Sequence, residues 1–152
     1  MKTLARAQDK EEILRRLRTI HPGSTRQWGR MSVHQMICHL SDSFLAVTGQ
    51  RHASSASGPL QRTVVKWIAL YAPLKWPHAI RTRPEVDQEA GGTRPADFRA
   101  DVAQQEALME EVIAQRGKLH RSMHPIFGRM SERAWLRWAY LHTDHHLRQF
   151  GA

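Results

Sequence analysis

Residues 131–151 have the sequence SERAWLRWAYLHTDHHLRQFG, and this stretch decides the fold. Ser131 can cap a helix, because its hydroxyl accepts a hydrogen bond from a backbone N–H of the first turn. Gly151 suits the left-handed residue that follows many helices. Since no proline or glycine lies between the two, we predict a helix over residues 131–150 that is about 30 Å long at the usual rise per residue.

One face of this predicted helix combines tryptophans with histidines. It is formed at three- and four-residue steps by Trp135, Trp138, Ala139, His142, His146 and Gln149. His142 and His146 lie one turn apart on it. Burying two imidazoles costs free energy unless their nitrogens find partners, and a metal ion would be one. From the spacing alone, the two histidines are equally consistent with a metal site and with a hydrogen-bonded pair in the core.

Length and composition favour a single domain, residues 1–152, of a reducing compartment. The only cysteine, Cys38, cannot form an internal disulfide, which is typical of cytoplasmic proteins. The opening residues MKTLARAQDKEE have no apolar segment of a signal peptide. No apolar run approaches the roughly 18 residues of a membrane span. We therefore expect a cytoplasmic protein with no membrane partner.

The net charge of +9 comes from 23 basic and 14 acidic residues. A strong basic excess is typical of proteins that bind nucleic acid or anionic surfaces. Here the basic residues are spread along the whole chain, and no zinc finger or RNA-binding motif is present. We expect an ordinary basic surface rather than nucleic-acid binding. The 10 histidines are the more informative excess.

Capping residues and apolar periodicity predict four more helices. Their bounds, in chain order, are 10–20, 32–48, 60–71 and 97–116. Asp9 caps the first, and Ser32 with Gln35 forms a capping box at the second. Gly49 and Gly117 follow the second and the last of them. The short third helix should bury the apolar stripe formed by Val64, Val65, Ile68 and Tyr71.

The segments between these helices are predicted to be irregular. Residues 51–59 are small and polar, and residues 73–95 are punctuated by proline and glycine. A connection as long as 73–95 is usually functional or mobile. No period-two strand pattern is visible. The predicted fold class is therefore all-α: a bundle of four main helices with a short extra helix and one long irregular connection.

A third histidine, His39, lies at the edge of the buried stripe of the second helix. Alone it would more often be a hydrogen-bonded core residue than a ligand. Together with His142 and His146 it could bind zinc, nickel or iron, because bundle cores build such sites from facing helices. Three imidazoles leave a coordination position open for water, and a metal there would lower the pKa of a bound water or thiol.

Neighbouring side chains each have two interpretations. Asp42 either orients the His39 imidazole through its Nδ1–H or forms a surface salt bridge. His145 either supports the site from behind the ligands or packs half-exposed. Gln149 either hydrogen-bonds a ligand or caps the helix end. Cys38 is expected to be a small buried residue rather than a nucleophile.

Two motifs resemble a known family. Residues 142–151, HTDHHLRQFG, resemble the closing H-x-x-H-H-x-x-Q motif of the DinB-like superfamily, whose first and third histidines bind a divalent metal. The third ligand of that superfamily comes from an earlier helix, and the matching position is His39 in HQMICHLSD. More narrowly, WGRMSVHQMICHLSD and HPIFGRMSERAW resemble its DUF1569 branch.

The resemblance implies a DinB/YfiT-like up-down-down-up four-helix bundle, a divalent metal held by His39, His142 and His146, and frequent homodimers. Characterised relatives of the superfamily include metal-dependent thiol transferases and an isomerase that act with low-molecular-weight thiols. By kinship we expect a metal-dependent transferase or hydrolase acting on a small electrophilic substrate. The alternative is a non-catalytic helical module with structural histidines and a basic surface for an acidic partner or nucleic acid.

Overall fold

The computed structural model describes residues 1–56, 58–78, 80 and 82–152, without the side chain of His120. It is mostly helical, which confirms the all-α fold class. The α-helices are α1 (Ala7–Leu17), α2 (Val33–Val47), α3 (Lys66–Tyr71), α4 (Phe98–Ala114) and α5 (Glu132–Gln149). A π-helical turn, Gln61–Val65, leads into α3, and 3-10 turns occur at Pro84–Val86 and Arg116–Arg121.

The two helices that carry the predicted ligands begin and end as their sequences indicate. The Ser131 hydroxyl accepts from the Ala134 N–H at 3.2 Å, and Gly151 follows α5 at φ 77°. At α2 the capping box is complete, because Ser32 Oγ accepts from the Gln35 N–H at 3.1 Å and Gln35 Oε1 accepts from the Ser32 N–H at 2.7 Å. Gly49 follows α2 at φ 79°.

The centre of the molecule is α2, in which every residue from Met36 to Phe44 is buried. It packs against α4 on one side and α5 on the other, while α1 and α3 pack against α5. The core includes Leu17, Met36, Phe44, Met109 and Trp135. Because α2 and α5 are in direct contact, inward side chains of the two helices can meet.

Three boundaries of the long helices differ from the prediction. α1 begins at Ala7 and ends at Leu17 instead of residue 20, and its N-cap residue Arg6 makes no side-chain capping bond. Asp9 lies inside the helix, fully buried, and accepts from the Thr3 N–H at 3.0 Å. The Asp9 carboxylate therefore accepts a hydrogen bond from the segment that precedes α1, and it does not cap the helix. α4 ends at Ala114, because the chain tightens there into the 3-10 turn that contains Gly117.

The predicted orientation of the short third helix is wrong. Val64, Val65 and Ile68 are 52%, 36% and 41% exposed, whereas Leu70 is fully buried. Of the predicted stripe, Tyr71 alone packs partly buried against the core. α3 packs onto α5 through Leu70, whose carbonyl accepts from Arg137 Nε.

A short hairpin was also not predicted. Met123–His124 pairs antiparallel with Gly128–Arg129. Two residues per strand are too few to show alternation. The turn depends on His124, whose Nδ1 accepts from the N–H groups of Ile126 and Phe127 at 3.1 and 3.0 Å.

The connection 73–95 is irregular, as predicted. Among its described residues, the 3-10 turn Pro84–Val86 is the one element of regular secondary structure. Its residues 79 and 81, and residue 57 of the predicted loop 51–59, lie outside the described residues. In the described part of the chain, none of the helices combines the length and apolarity needed to cross a bilayer.

Candidate metal centre

The three predicted ligands, His39 from α2 and His142 and His146 from α5, lie together at the α2–α5 contact. All three are buried, and one potential ligand atom from each lies within 4.8 Å of the other two. His39 Nε2 is 3.2 Å from His142 Nε2. The His146 ring centroid is 4.8 Å from those of both other rings.

Hydrogen bonds determine the tautomers of two of these histidines. His39 Nδ1 is 2.7 Å from the Val86 carbonyl oxygen, so Nδ1 carries the proton and Nε2 has a free lone pair. The Gln149 side-chain amide donates its Nε2–H to the Trp28 carbonyl at 2.9 Å. Its Oε1 must therefore face His146 Nδ1, at 2.9 Å, and accept a proton from it. His146 Nε2 is then also a lone pair.

The third histidine, His142, cannot satisfy both of its nitrogens. Its ring stacks on Trp138 at 4.7 Å and 21°, and its Nδ1 has no hydrogen-bond partner among the described residues. If Nδ1 carries the proton, the Nε2 lone pair faces the lone pair of His39 Nε2. If Nε2 carries it, the Nδ1 lone pair is buried unpaired. A cation between the Nε2 atoms would remove the lone-pair repulsion of the first arrangement.

Burial keeps the three rings neutral. Desolvation lowers the pKa of His39 below its usual 6.5 and lowers those of His142 and His146 well below it. The neighbouring imidazoles lower the last two further. Neutral imidazole is the form that binds metals.

The geometry fits a divalent ion. Two nitrogens that bind one tetrahedral zinc at roughly 2.0–2.1 Å are roughly 3.3 Å apart, close to the 3.2 Å between His39 Nε2 and His142 Nε2. The bonds from His39 to Val86 and from His146 to Gln149 are of the kind that orients histidine ligands. Three protein nitrogens would leave at least one coordination position for a water or a substrate atom.

Of the two interpretations of Asp42, orientation of His39 through its Nδ1–H is contradicted, because His39 Nδ1 bonds the Val86 carbonyl. Asp42 is fully buried and accepts from Gln88 Nε2 at 2.9 Å, the Thr93 N–H at 2.7 Å and the Thr93 hydroxyl at 2.6 Å. It also pairs with Arg51 at 3.3 Å. These bonds attach the segment after Val86 to α2, so Asp42 acts on His39 indirectly, by positioning the segment whose carbonyl accepts from it.

His145 and Gln149 lie beside the three ligands. Gln149 bonds the His146 ring, as one of its two interpretations proposed. His145 is 8% exposed, not half-exposed. Its ring contacts those of His146 and Trp28 at centroid distances of 5.2 and 5.8 Å. Its Nδ1 has no partner in the described part of the chain, and burial lowers its pKa to about 4.

A pocket of about 1190 Å³ opens beside the histidines, and His39, His142, His145 and His146 are part of its lining. Aromatic rings line the pocket next to these histidines. Trp28 stacks on His78 at 4.1 Å and 8°, and the Trp76 ring lies 6.3 Å from His142. The lining thus combines polar nitrogens at one end with apolar surface, as is usual for small-molecule sites.

Sequence analysis missed Val86, Trp76 and His78. Val86 contributes its backbone carbonyl, for which no side-chain signal exists. Trp76 and His78 flank Pro77 in the connection that was expected to be functional or mobile. Aromatic residues in a proline-rich segment were the sequence signal that could have indicated a wall of the pocket.

Cys38 belongs to a separate buried cluster. Its sulfur is 3.7 Å from Asp101 Oδ2, which also accepts from His34 Nε2 at 2.6 Å and the Ala96 N–H at 3.2 Å. Burial, reinforced by Asp101, raises the pKa of the Cys38 thiol to about 12. Cys38 is buried, as expected, and its contact with Asp101 joins α2 to α4.

Fold and site together define an all-helical protein with a buried three-histidine cluster at the end of an aromatic pocket. The family model of DUF1569, a protein family of unknown function, matches residues 3–152. The chain belongs to this family. It matches no curated protein and no solved structure.

Proposed function

We propose that this protein is a divalent-metal-dependent enzyme of the DinB-like superfamily, with His39, His142 and His146 as the ligands. The observation that carries the proposal is the convergence of three buried, neutral imidazoles, each with a ring nitrogen within 4.8 Å of one on both others. Burying three such groups without a common partner would be costly. The cluster is also the polar end of a pocket large enough for a small substrate.

The packing supports the fold that this proposal requires. α1, α2, α4 and α5 are the long helices, and the contacts α2–α4, α2–α5 and α1–α5 connect all four. We infer a four-helix bundle with DinB-like up-down-down-up topology from these contacts. The metal ligands then come from the helix pair at its centre.

When bound, zinc, nickel or iron would supply Lewis acidity and lower the pKa of a water or thiol at the open position. Val86 and Gln149 hold two ligand rings in the tautomers that leave Nε2 free. Trp28, Trp76 and Trp138 exclude water from the ligand side of the pocket. We propose transfer of a thiol to, or hydrolysis of, a small electrophilic substrate held against these rings.

Metal analysis of the purified protein tests the ligand set. The wild type should retain a divalent ion after dialysis, and His146→Ala should lose it. His52→Ala is the matched control, because His52 is exposed and lies outside the pocket. Equal metal content in the wild type and His146→Ala would refute the site.

Reactivity is tested separately. The metal-loaded wild type should accelerate the reaction of a small thiol with a chloronitrobenzene electrophile or the hydrolysis of an activated ester, and a chelator should abolish the effect. A metal-loaded protein that accelerates neither reaction would leave the metal site intact and contradict the proposed chemistry.

A further inference from the structure

A concentrated apolar surface surrounds the mouth of the pocket. Of the nine exposed large hydrophobic residues among those described, seven lie between residues 60 and 80. Trp67 and Leu74 are 62% and 66% exposed. Single exposed apolar residues are ordinary, but a group of them usually marks an interaction site.

These residues form one surface, which we call the apolar rim. Leu60, Val64, Trp67 and Ile68 recur at three- and four-residue spacing along the helical segment that ends in α3. Ile68 also lines the mouth of the pocket, together with the exposed Leu74, Ile80 and Met123. The apolar rim consists of Leu60, Val64, Val65, Trp67, Ile68, Leu74, Ile80 and Met123.

The segment that carries most of the apolar rim is strongly basic. Residues 43–84 contain no aspartate or glutamate and six lysines and arginines. Of these residues Arg62 and Lys75 are exposed on the segment that carries the apolar rim, whereas Arg51 is paired with Asp42 at 3.3 Å. The Nζ of Lys66 is bound to the Arg129 carbonyl at 3.1 Å. Exposed positive charge therefore adjoins the apolar residues, while Asp87 and Glu89 are the acidic residues of the pocket lining.

Exposed apolar side chains beside basic ones favour one of three candidate partners: a second copy of the chain, nucleic acid or an anionic membrane. A second copy that paired through this face would bring the same basic residues against each other, because a two-fold interface is self-complementary. Nucleic acid would use the positive charge but not the exposed Trp67, Leu74 and Ile80. An anionic bilayer uses both, since apolar side chains enter the interface and basic ones contact the headgroups.

We propose that the apolar rim docks this protein on anionic lipid membranes as a peripheral protein. This departs from the sequence expectation of no membrane partner, which considered spanning segments only. Trp67 is the principal anchor, because tryptophan favours the level of the headgroups. Docking would turn the mouth of the three-histidine pocket toward the bilayer. The proposal does not depend on a bound metal.

Co-sedimentation of the full chain with vesicles tests it. We expect binding to vesicles of phosphatidylcholine with phosphatidylglycerol at low salt, and much weaker binding to phosphatidylcholine alone. The double variant W67S/I68S should bind at least about tenfold more weakly. Lys75→Glu should weaken binding about fivefold or more.

The control for the charge change is Arg99→Glu. Arg99 is exposed on α4, whose residues do not line the pocket, so this variant should bind nearly as well as the wild type. Brominated lipids should quench tryptophan fluorescence. Most of that quenching should disappear in Trp67→Phe, whose binding is retained. This readout locates the contact even if the double variant folds poorly.

Three results would overturn the proposal. They are absence of binding to anionic vesicles, binding unchanged by W67S/I68S, and quenching that persists fully in Trp67→Phe. A dimer in solution that W67S/I68S dissociates, without vesicle binding, would assign the apolar rim to a second copy. Binding to duplex RNA or DNA but not to vesicles would assign the surface to nucleic acid.

Discussion

Gln149 shows how single side chains prepare the histidine cluster. Its amide nitrogen donates to the Trp28 carbonyl and its oxygen accepts from His146 Nδ1, each at 2.9 Å. The approach is close, since a Cβ on Gly29 would lie 2.5 Å from Gln149 Nε2, and Gly29 has a φ of 82°. Gly29 therefore leaves the space that the amide occupies, the Trp28 carbonyl holds the amide, and the amide orients the His146 ring.

Gln149→Ala should lower zinc affinity about 10- to 100-fold, the usual effect of removing a group that orients a histidine ligand. Gln149→Glu should lose less, because a carboxylate still accepts from His146 Nδ1. Competition with a chromophoric chelator measures both affinities. Unchanged affinity in Gln149→Ala would show that the amide does not orient the ligand.

At the scale of elements, the site depends on how the segment after residue 84 is held against α2. Asp42 holds that segment through Gln88 and Thr93, and Val86 within it accepts from His39. The sequence predicted both α2 and the irregular connection. It could not predict their attachment, because the bonded residues are 46 and 51 positions apart.

Asp42→Asn should lower the free energy of unfolding by about 2 kcal/mol, because bonds to a buried charged acceptor are weakened. It should also weaken zinc binding, since the Val86 carbonyl loses its position. Asp144→Asn is the control. Asp144 pairs with Arg16 and Arg148 at 2.7 and 3.0 Å and has no bond to the segment after residue 84, so this change should lower stability but spare zinc binding. Equal effects of the two variants on zinc affinity would refute a positioning role for Asp42.

Across the whole molecule, buried neutral histidines couple stability to pH. Burial lowers the pKa of His124 to about 3 from its usual 6.5, and the pKa values of His39, His142, His145 and His146 are also lowered. Below pH 6.5 the unfolded chain binds protons on these rings and the folded chain does not. The free energy of unfolding therefore falls as the pH drops from 6.5 toward the folded pKa values.

Urea unfolding of the metal-free protein should show this loss between about pH 7 and about pH 5. His124 alone should contribute about 1.4 kcal/mol per pH unit below its unfolded pKa. In His124→Asn the amide oxygen can still accept from the turn, so the fold should be kept while the pH dependence becomes shallower by about that amount. A urea midpoint of unfolding that stays constant over this pH range would contradict the neutral state of the buried histidines.

Local sequence patterns predicted the helices and placed His142 and His146 one turn apart, because caps, glycine stops and one-turn spacing are properties of neighbouring residues. Together with the family resemblance they also indicated His39 as the third ligand. Three features come from the fold alone: His39 Nε2 lies 3.2 Å from His142 Nε2, Val86 rather than Asp42 bonds His39, and Val64, Val65 and Ile68 are exposed. These features depend on contacts between residues far apart in the chain, and local patterns of residue type carry no information about the register of such contacts.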